Sequence, residues 1–358
     1  MKWCKKGLGT VLLAGVVWLM AGCHALSGQP GGESGTATKD VFAMDTYMTI
    51  TAYGQEAEEA VDGAIREITR LDGLFSTGSD TSEVTQLNKT GSKKVSADVM
   101  NLEQAAQKVY QSTKGAFDNT VYPLMEAWGF SSGKYRVPSD QEIEKLKKKV
   151  GSDRVKWNTQ TGQITLPEGC RIDFGGIAKG YTSYKLKEIF AKYKITGAIV
   201  SLGGNVETYG SRPEGGSWKV GIENPPVSAL KGDYVGILSL GEEAVITSGS
   251  YQRYFEKDGK KYHHILDPAT GKPVDNGLLS VTVISPDGAM ADGLSTALFV
   301  MGEEKGIQYY KQHKKEMDVV WLKTDGTILV TEGLKGKFST DFSYKIVAVS
   351  YTHLTLPT

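Results

Sequence analysis

Three short stretches of the chain combine residue types that can do chemistry. The first, Arg171-Ile172-Asp173-Phe174-Gly175-Gly176-Ile177-Ala178-Lys179-Gly180, runs from a strand-like segment through paired glycines into a helical pattern. Glycines ahead of a helix leave backbone N–H groups facing outward, so this turn can cradle a diphosphate. Gly175 and Gly180 reproduce the glycine spacing of a P-loop, but Tyr181 stands where that motif requires lysine, which rejects a P-loop ATPase. Tight strand-to-helix packing alone also uses such glycines. In the second stretch, Ala291-Asp292-Gly293-Leu294-Ser295-Thr296-Ala297, Asp292 and Thr296 lie four apart and share one helix face. A carboxylate and a hydroxyl are hard oxygen ligands that suit Mg²⁺. The simpler alternative is that Asp292 caps its helix. The third stretch is Tyr262-His263-His264-Ile265-Leu266-Asp267-Pro268-Ala269-Thr270-Gly271-Lys272-Pro273, in which two prolines and a glycine make a rigid turn. A histidine held before such a turn can transfer protons or act as a nucleophile, although a lone histidine often does neither. Zinc is a poor fit, because the histidines are adjacent and no paired-cysteine motif exists.

Positioning these stretches falls to a mixture of short strands and helices without a fixed repeat. Alternation predicts a strand over Met44 to Tyr53, and apolar residues at threes and fours predict helices over Gln55 to Leu74 and Ala97 to Thr113. A short charged helix is expected at Glu142 to Val150, and a hairpin between Val155 and Leu166 around Thr161-Gly162. A helix over Ile177 to Tyr193 leads into a strand at Ala198 to Leu202. Further strands are expected within Gly232 to Thr247 and Leu279 to Ser285, and helices at Asp292 to Val300 and Glu303 to His313. Mixed helices and hairpins of this kind predict an α+β fold rather than a doubly wound sheet.

Lys2, Lys5 and Lys6 precede a short apolar run, Thr10 to Met20, which reads as a secretory leader over 1–22. The run is well short of the roughly 20 residues of a spanning helix. Leu19-Met20-Ala21-Gly22-Cys23 resembles a bacterial lipobox, with Met20 in place of the usual Leu, Val or Ile, so Cys23 is expected to carry the lipid. Residues 23–39 are rich in Gly, Ser, Thr and Pro and read as a flexible tether. With Cys4 in the leader and Cys23 acylated, Cys170 has no partner for a disulfide. The chain carries 41 basic and 41 acidic residues, with no basic stripe, which argues against nucleic acid as partner. The folded domain is expected over 40–349, and residues 350–358 continue no pattern and read as a non-native or disordered tail.

Taken in order, further elements join the three stretches: Met44-Asp45-Thr46, Phe75-Ser76, Ser82-Glu83, Leu87-Asn88, Gly115-Ala116-Phe117-Asp118, Trp128-Gly129-Phe130, Ser201-Leu202-Gly203-Gly204-Asn205 and Thr247-Ser248-Gly249. The ordered set resembles the FAD:protein FMN transferase family, known as ApbE, over about residues 41 to 345. The resemblance implies a T-fold-like α+β domain with largely antiparallel sheets, FAD as substrate and Mg²⁺ at its diphosphate. It places the metal on Asp292, Thr296 and the backbone oxygen of Gly176, with Ser295 adjacent, and makes His264 the catalytic histidine. FAD contacts carried over by position are Met44, Ala116, Phe117, Asp118, Asp173, Lys179 and Leu266. Residue 78 is glycine where some relatives place a flavin-stacking tyrosine, for which Tyr251 or Tyr254 could substitute. The implied reaction cleaves FAD and attaches FMN through a phosphoester to a Thr or Ser of a target flavoprotein, releasing AMP. The implied acceptor is a membrane or surface flavoprotein with an Asp-Gly-x-Ser/Thr-Gly-Ala-Thr-like motif, which this chain lacks. The alternatives are an Mg²⁺-dependent FAD pyrophosphatase and a flavin-binding lipoprotein without turnover. With the leader and lipobox, the expected location is the extracytoplasmic face of the cell membrane.

Overall fold

In the computed structural model, which describes residues 35–348, nine strands form one sheet. Their order is Thr36–Ala43, Thr46–Tyr53, Gly197–Leu202, Asn205–Gly210, Ala244–Gly249, Leu278–Ser285, Asp318–Lys323, Ile328–Thr331 and Tyr344–Val347. Every neighbouring pair is antiparallel except the last, which is parallel. Seven helices accompany it among the described residues: α1 (Ala57–Phe75), α2 (Glu83–Thr90), α3 (Ala97–Ser112), α4 (Tyr122–Trp128), α5 (Asp140–Lys147), α6 (Ala178–Lys192) and α7 (Gly288–His313). The fold is therefore α+β with mostly antiparallel sheets. The leader, Cys23 and the tail 350–358 lie outside the described residues.

The central strands of the sheet are covered on both faces, and the two-residue period of a strand sorts the side chains between them. Val319 and Trp321 join the core beneath α3 and α7, whereas Val320 and Leu322 face a small three-stranded sheet built from Trp218–Glu223, Tyr234–Leu240 and Phe338–Ser339. Ala244 and Ile246 point to the helices and Val245 to the small sheet. Leu278–Ser285, buried at every position, is the strand clamped between layers, and its only polar residues, Ser280, Thr282 and Ser285, carry small hydroxyls. At the other end of the sheet, α1 and α6 cover the first three strands through Val61, Ala64, Ile68, Leu186 and Phe190.

Three expectations change. The sheet begins at Thr36, not after a tether ending at residue 39: Thr36–Ala43 pairs residue for residue with Thr46–Tyr53, and Ala37 is buried against α1. Ladder hydrogen bonds and this burial outweigh the polar composition. The hairpin turns on Met44 and Asp45, both at positive φ (48° and 58°), which suits the right-handed twist of the strands but puts two non-glycine residues in the left-handed region. The two helices expected after residue 292 are one element, α7, broken at Gly302 (φ 77°), where Asn276 donates to the Phe299 carbonyl at 2.7 Å. This helix starts a turn earlier than expected, capped by Asp287, whose carboxylate accepts the Met290 N–H at 3.0 Å. Asp292 is thus not a helix cap.

Candidate active site at the crossing of two helices

The glycine turn is held from both sides before α6 begins. The Asn88 amide donates to the Ile172 carbonyl and accepts the Ile172 N–H, each at 2.8 Å. The Asp173 N–H donates to the Asn119 carbonyl at 2.8 Å, and the Gly175 N–H closes a local turn on the Asp173 carboxylate at 2.9 Å. The chain then enters α6 at Ala178 without a side-chain cap on the helix N-terminus.

Here α6 crosses the start of α7 closely enough that no side chain fits at the contact. A Cβ on Gly180 would lie 2.0 Å from the Gly288 carbonyl oxygen. The approach lets Asp292 of α7 reach into α6. Its Oδ2 accepts the Gly180 N–H at 2.8 Å, and its Oδ1 accepts Asn205 Nδ2 at 3.2 Å. In a regular helix the Gly180 N–H would bond the carbonyl four residues earlier. Diverted to Asp292, it leaves the Gly176 carbonyl without a donor among the described residues. Gly176 is also the neighbour of Thr296, since a Cβ built on it would lie 3.7 Å from Thr296 Oγ1. One carboxylate, one hydroxyl and one open main-chain oxygen therefore lie along the Gly176–Gly180 turn, and Asp292 is 4 % exposed with only neutral hydrogen-bond partners. Ser295 is fully buried: its hydroxyl donates to the Asp292 carbonyl at 2.8 Å and pairs with Ser248 at 2.8 Å, while Ser248 also reaches Thr296 at 3.1 Å. Ser295 braces this face from behind. Among the described residues no three His, Cys, Asp or Glu side chains are placed to hold a metal ion. The donors here are of another kind, hard oxygens of which only one is charged, and they fit a small divalent cation that keeps several waters.

The two adjacent histidines separate cleanly. His263 is buried, with Nε2 bonded to the Val274 carbonyl at 2.7 Å and Nδ1 accepting the Ile265 N–H at 3.3 Å, so both ring nitrogens hold the turn together. His264 bonds the Arg253 carbonyl through Nδ1 at 3.1 Å. A carbonyl only accepts, so Nδ1 carries the proton and Nε2 keeps a free lone pair. Burial, reinforced by the nearby Arg253 and Lys179 charges, pushes the His264 pKa down to about 3, so the ring is neutral at physiological pH. Asp173 lies in the same electrostatic neighbourhood: burial raises its pKa, opposed by the Gly175 N–H and by the charges of Arg253 and Lys179. The charges of Lys179 and Arg253 thus bear on both Asp173 and His264, and Lys179 forms no hydrogen bond or ion pair among the described residues.

The remaining sequence candidates surround this centre. Phe117 packs beside Gly176, its ring edge 3.1 Å from where a Cβ would stand. Met44, at the strained hairpin turn, lies 3.9 Å from the Thr182 hydroxyl of α6, and Ala116 is half-buried against the core. Asp118 is turned inward: Thr120 donates to one oxygen through N–H (2.8 Å) and hydroxyl (2.5 Å), and the Ser152 N–H donates to the other at 3.3 Å. Asp118 thus closes its own turn and ties it to Ser152, while the Ala116 and Phe117 N–H groups are held by Thr113. Leu266 is buried with Leu124, Trp128 and Phe130 under the His264 segment. Gly78 lies in an exposed turn, Tyr251 packs under Gly249, and Tyr254 carries the Lys261 ammonium 3.7 Å above its ring. Asn88, Asn205, Ser248 and Arg253 were not foreseen as site residues. The first three sit in motifs already singled out, and Arg253 follows Tyr251-Gln252 with no signal of its own.

Comparison with known proteins points to one family. The model of the ApbE family matches residues 44–321. An FAD:protein FMN transferase of Klebsiella pneumoniae is 32% identical over 309 residues, covering 85% of this chain and 95% of that protein. One of Haemophilus influenzae is 27% identical over 333 residues, covering 90% and 94%. Among solved structures, the ApbE protein of Thermotoga maritima superposes with a TM-score of 0.79 at 32% identity, covering 86% of this chain and all of that one. The apo flavinyl transferase ApbE of Pseudomonas stutzeri does so with 0.77 at 27% identity, covering 86% and 98%.

Proposed function

The chain belongs to the ApbE family, and from that premise we propose that it is an FAD:protein FMN transferase, joining FMN through a phosphoester to a Thr or Ser hydroxyl of another protein and releasing AMP. The observation that carries this reading is the crossing of α6 and α7, where the Asp292 carboxylate, the Thr296 hydroxyl and the open Gly176 carbonyl stand at the mouth of a glycine turn. These three groups would hold Mg²⁺, which supplies neutralisation of charge on a bound diphosphate. The protein's own part is positioning. Gly175 and Gly176 let the backbone approach the diphosphate, Lys179 offers an unpaired cation, and Asn88 and Asn119 keep the turn in place. His264, neutral and with Nε2 free, takes the hydroxyl proton as the acceptor oxygen attacks the FMN phosphorus. Its Nδ1 hydrogen bond fixes both the tautomer and the direction of the lone pair.

The acceptor in this proposal is a flavoprotein bearing a Thr or Ser in an Asp-Gly-x-Ser/Thr-Gly-Ala-Thr-like segment. Acylated Cys23 would hold the enzyme on the extracytoplasmic face of the membrane beside it. No helix among the described residues is long and apolar enough to cross a membrane. The test is consumption of FAD, followed chromatographically in excess Mg²⁺ with and without acceptor. A transferase consumes FAD only when acceptor is present. Equal consumption in both would make the protein an FAD pyrophosphatase, and no consumption in either a flavin-binding protein.

A further inference from the structure

Arg253 stands outside the chemistry-bearing sequence motifs, yet two of its groups lie against the His264 segment. Its main-chain carbonyl accepts both the His264 N–H, at 3.0 Å, and the His264 Nδ1–H, at 3.1 Å, so this one oxygen sets the backbone and the ring of the histidine together. Its guanidinium is tied down at one end only, where Nη2 donates to the Phe130 carbonyl at 2.5 Å. The other N–H groups have no acceptor, and the side chain forms no ion pair, among the described residues. The residue is exposed, so this cation faces open space and not a packed interior. Phe130, which anchors it, packs edge-on against the His264 ring with centroids 6.4 Å apart, so the guanidinium stands on the His264 side of the site, and its charge bears on His264 and on Asp173 of the glycine turn. A guanidinium anchored by one N–H and open at the others presents a planar fork that matches two oxygens of a phosphate.

Resting on the transferase reading, we propose that the Arg253 guanidinium is a catalytic group that pairs with the non-bridging oxygens of the phosphoryl group being transferred. As the acceptor oxygen forms its bond to the FMN phosphorus, the bond from that phosphorus to the bridging oxygen breaks. The bridging electron pair leaves with AMP, and the hydroxyl proton goes to His264 Nε2. Arg253 holds the equatorial oxygens through this change from the His264 side, where its charge meets the negative charge that develops on the phosphoryl group. The arrangement also couples binding to base strength. Before substrate arrives, burial and, after it, the Arg253 and Lys179 charges disfavour a protonated His264. An anionic diphosphate bound beside them offsets both charges, so the imidazole becomes a better base when there is something to transfer.

The experiment uses the full chain with Arg253→Gln and Arg253→Lys, both of which keep the main-chain carbonyl that holds His264. With FAD, Mg²⁺ and acceptor, Arg253→Gln should lose roughly 10²- to 10³-fold in kcat. KM for FAD should change less than about threefold, and added guanidinium ion should restore part of the rate. Arg253→Lys should lose less, because the charge remains without the fork. A second arm needs no turnover: inorganic diphosphate, added without metal, should raise the pKa of His264 read by NMR in the wild type and do so much less in Arg253→Gln. If both variants turn over within threefold of wild type, the inference is overturned. It is equally overturned if diphosphate moves His264 alike in wild type and Arg253→Gln. Should the wild type itself transfer no FMN, the transferase reading fails, and the diphosphate arm alone then decides whether Arg253 binds a phosphate.

Discussion

Replacing Asp292 by asparagine separates its chemical from its structural work. In the folded protein the carboxylate accepts two hydrogen bonds, from Gly180 N–H at 2.8 Å and Asn205 Nδ2 at 3.2 Å. Asparagine keeps the shape and one acceptor oxygen, which can retain the shorter bond, but its NH₂ then meets the Asn205 NH₂. Losing one bond to a charged group costs roughly 1.5–3 kcal/mol, partly offset because no charge is buried any longer. The net destabilisation should be about 1–2 kcal/mol, small against a domain stability of roughly 5–15 kcal/mol. Catalysis should suffer far more. Asp292 is the one anionic member of a donor set whose other members, Thr296 Oγ1 and the Gly176 carbonyl, are neutral. If the metal contributes even ~3 kcal/mol to the transition state, losing it lowers the rate about 10²-fold. The assay is FMN transfer against Mg²⁺ concentration for wild type and Asp292→Asn, with denaturant unfolding alongside. The variant should be folded, at least about 10²-fold slower at low Mg²⁺, and partly restored at high Mg²⁺. A folded variant with wild-type rate and unchanged Mg²⁺ dependence would refute the metal assignment and leave Asp292 as a clamp between α6 and α7.

Neighbouring histidines should behave oppositely. His263→Ala should lose roughly 2–3 kcal/mol by denaturant unfolding, because it strands the Val274 carbonyl and the Ile265 N–H, yet keep its kcat per folded molecule; His264→Ala should keep its stability and lose transfer. The reverse pattern would reassign the catalytic nitrogen. Gly180→Ala drives a methyl into the Gly288 carbonyl and should cost about 3 kcal/mol or more, and a change under ~1 kcal/mol in the same unfolding measurement would mean that the two helices part easily. Cys23→Ser should move the protein from the membrane to the soluble fraction without altering kcat, and equal membrane retention of the variant would exclude the lipid anchor.

Much of the scaffold was legible because its signals are local. α1 shows its apolar face in Ala60, Val61, Ala64, Ile68 and Leu71, and the hairpin Lys156–Asn158 with Gln163–Thr165 brackets its own turn residues. Thr36–Ala43 was misjudged because an edge strand needs few apolar residues: only Ala37 and Ala43 are buried, so its composition reads like a linker. α2 was missed because Glu83–Thr90 is short and polar, and its clearest mark, Ser82 accepting the Thr85 N–H, is a single cap. At the site, spacing placed Asp292 and Thr296 on one face, but no local pattern could tell a cap from a tertiary acceptor. That distinction rests on Gly180, 112 residues away in the chain. The open Gly176 carbonyl is invisible in sequence for the same reason, being the by-product of that long-range bond. The histidine pair likewise needed the carbonyls of Val274 and Arg253 to show which ring is free.

The transfer reaction is tested most directly by the intact mass of a flavoprotein carrying an Asp-Gly-x-Ser/Thr-Gly-Ala-Thr-like segment, after incubation with this protein, FAD and Mg²⁺. The acceptor should gain the mass of one FMN less one water, AMP should appear in equal amount, and an acceptor whose target Thr or Ser is replaced by alanine should gain nothing. An acceptor of unchanged mass in a mixture that accumulates free FMN and AMP would contradict the account.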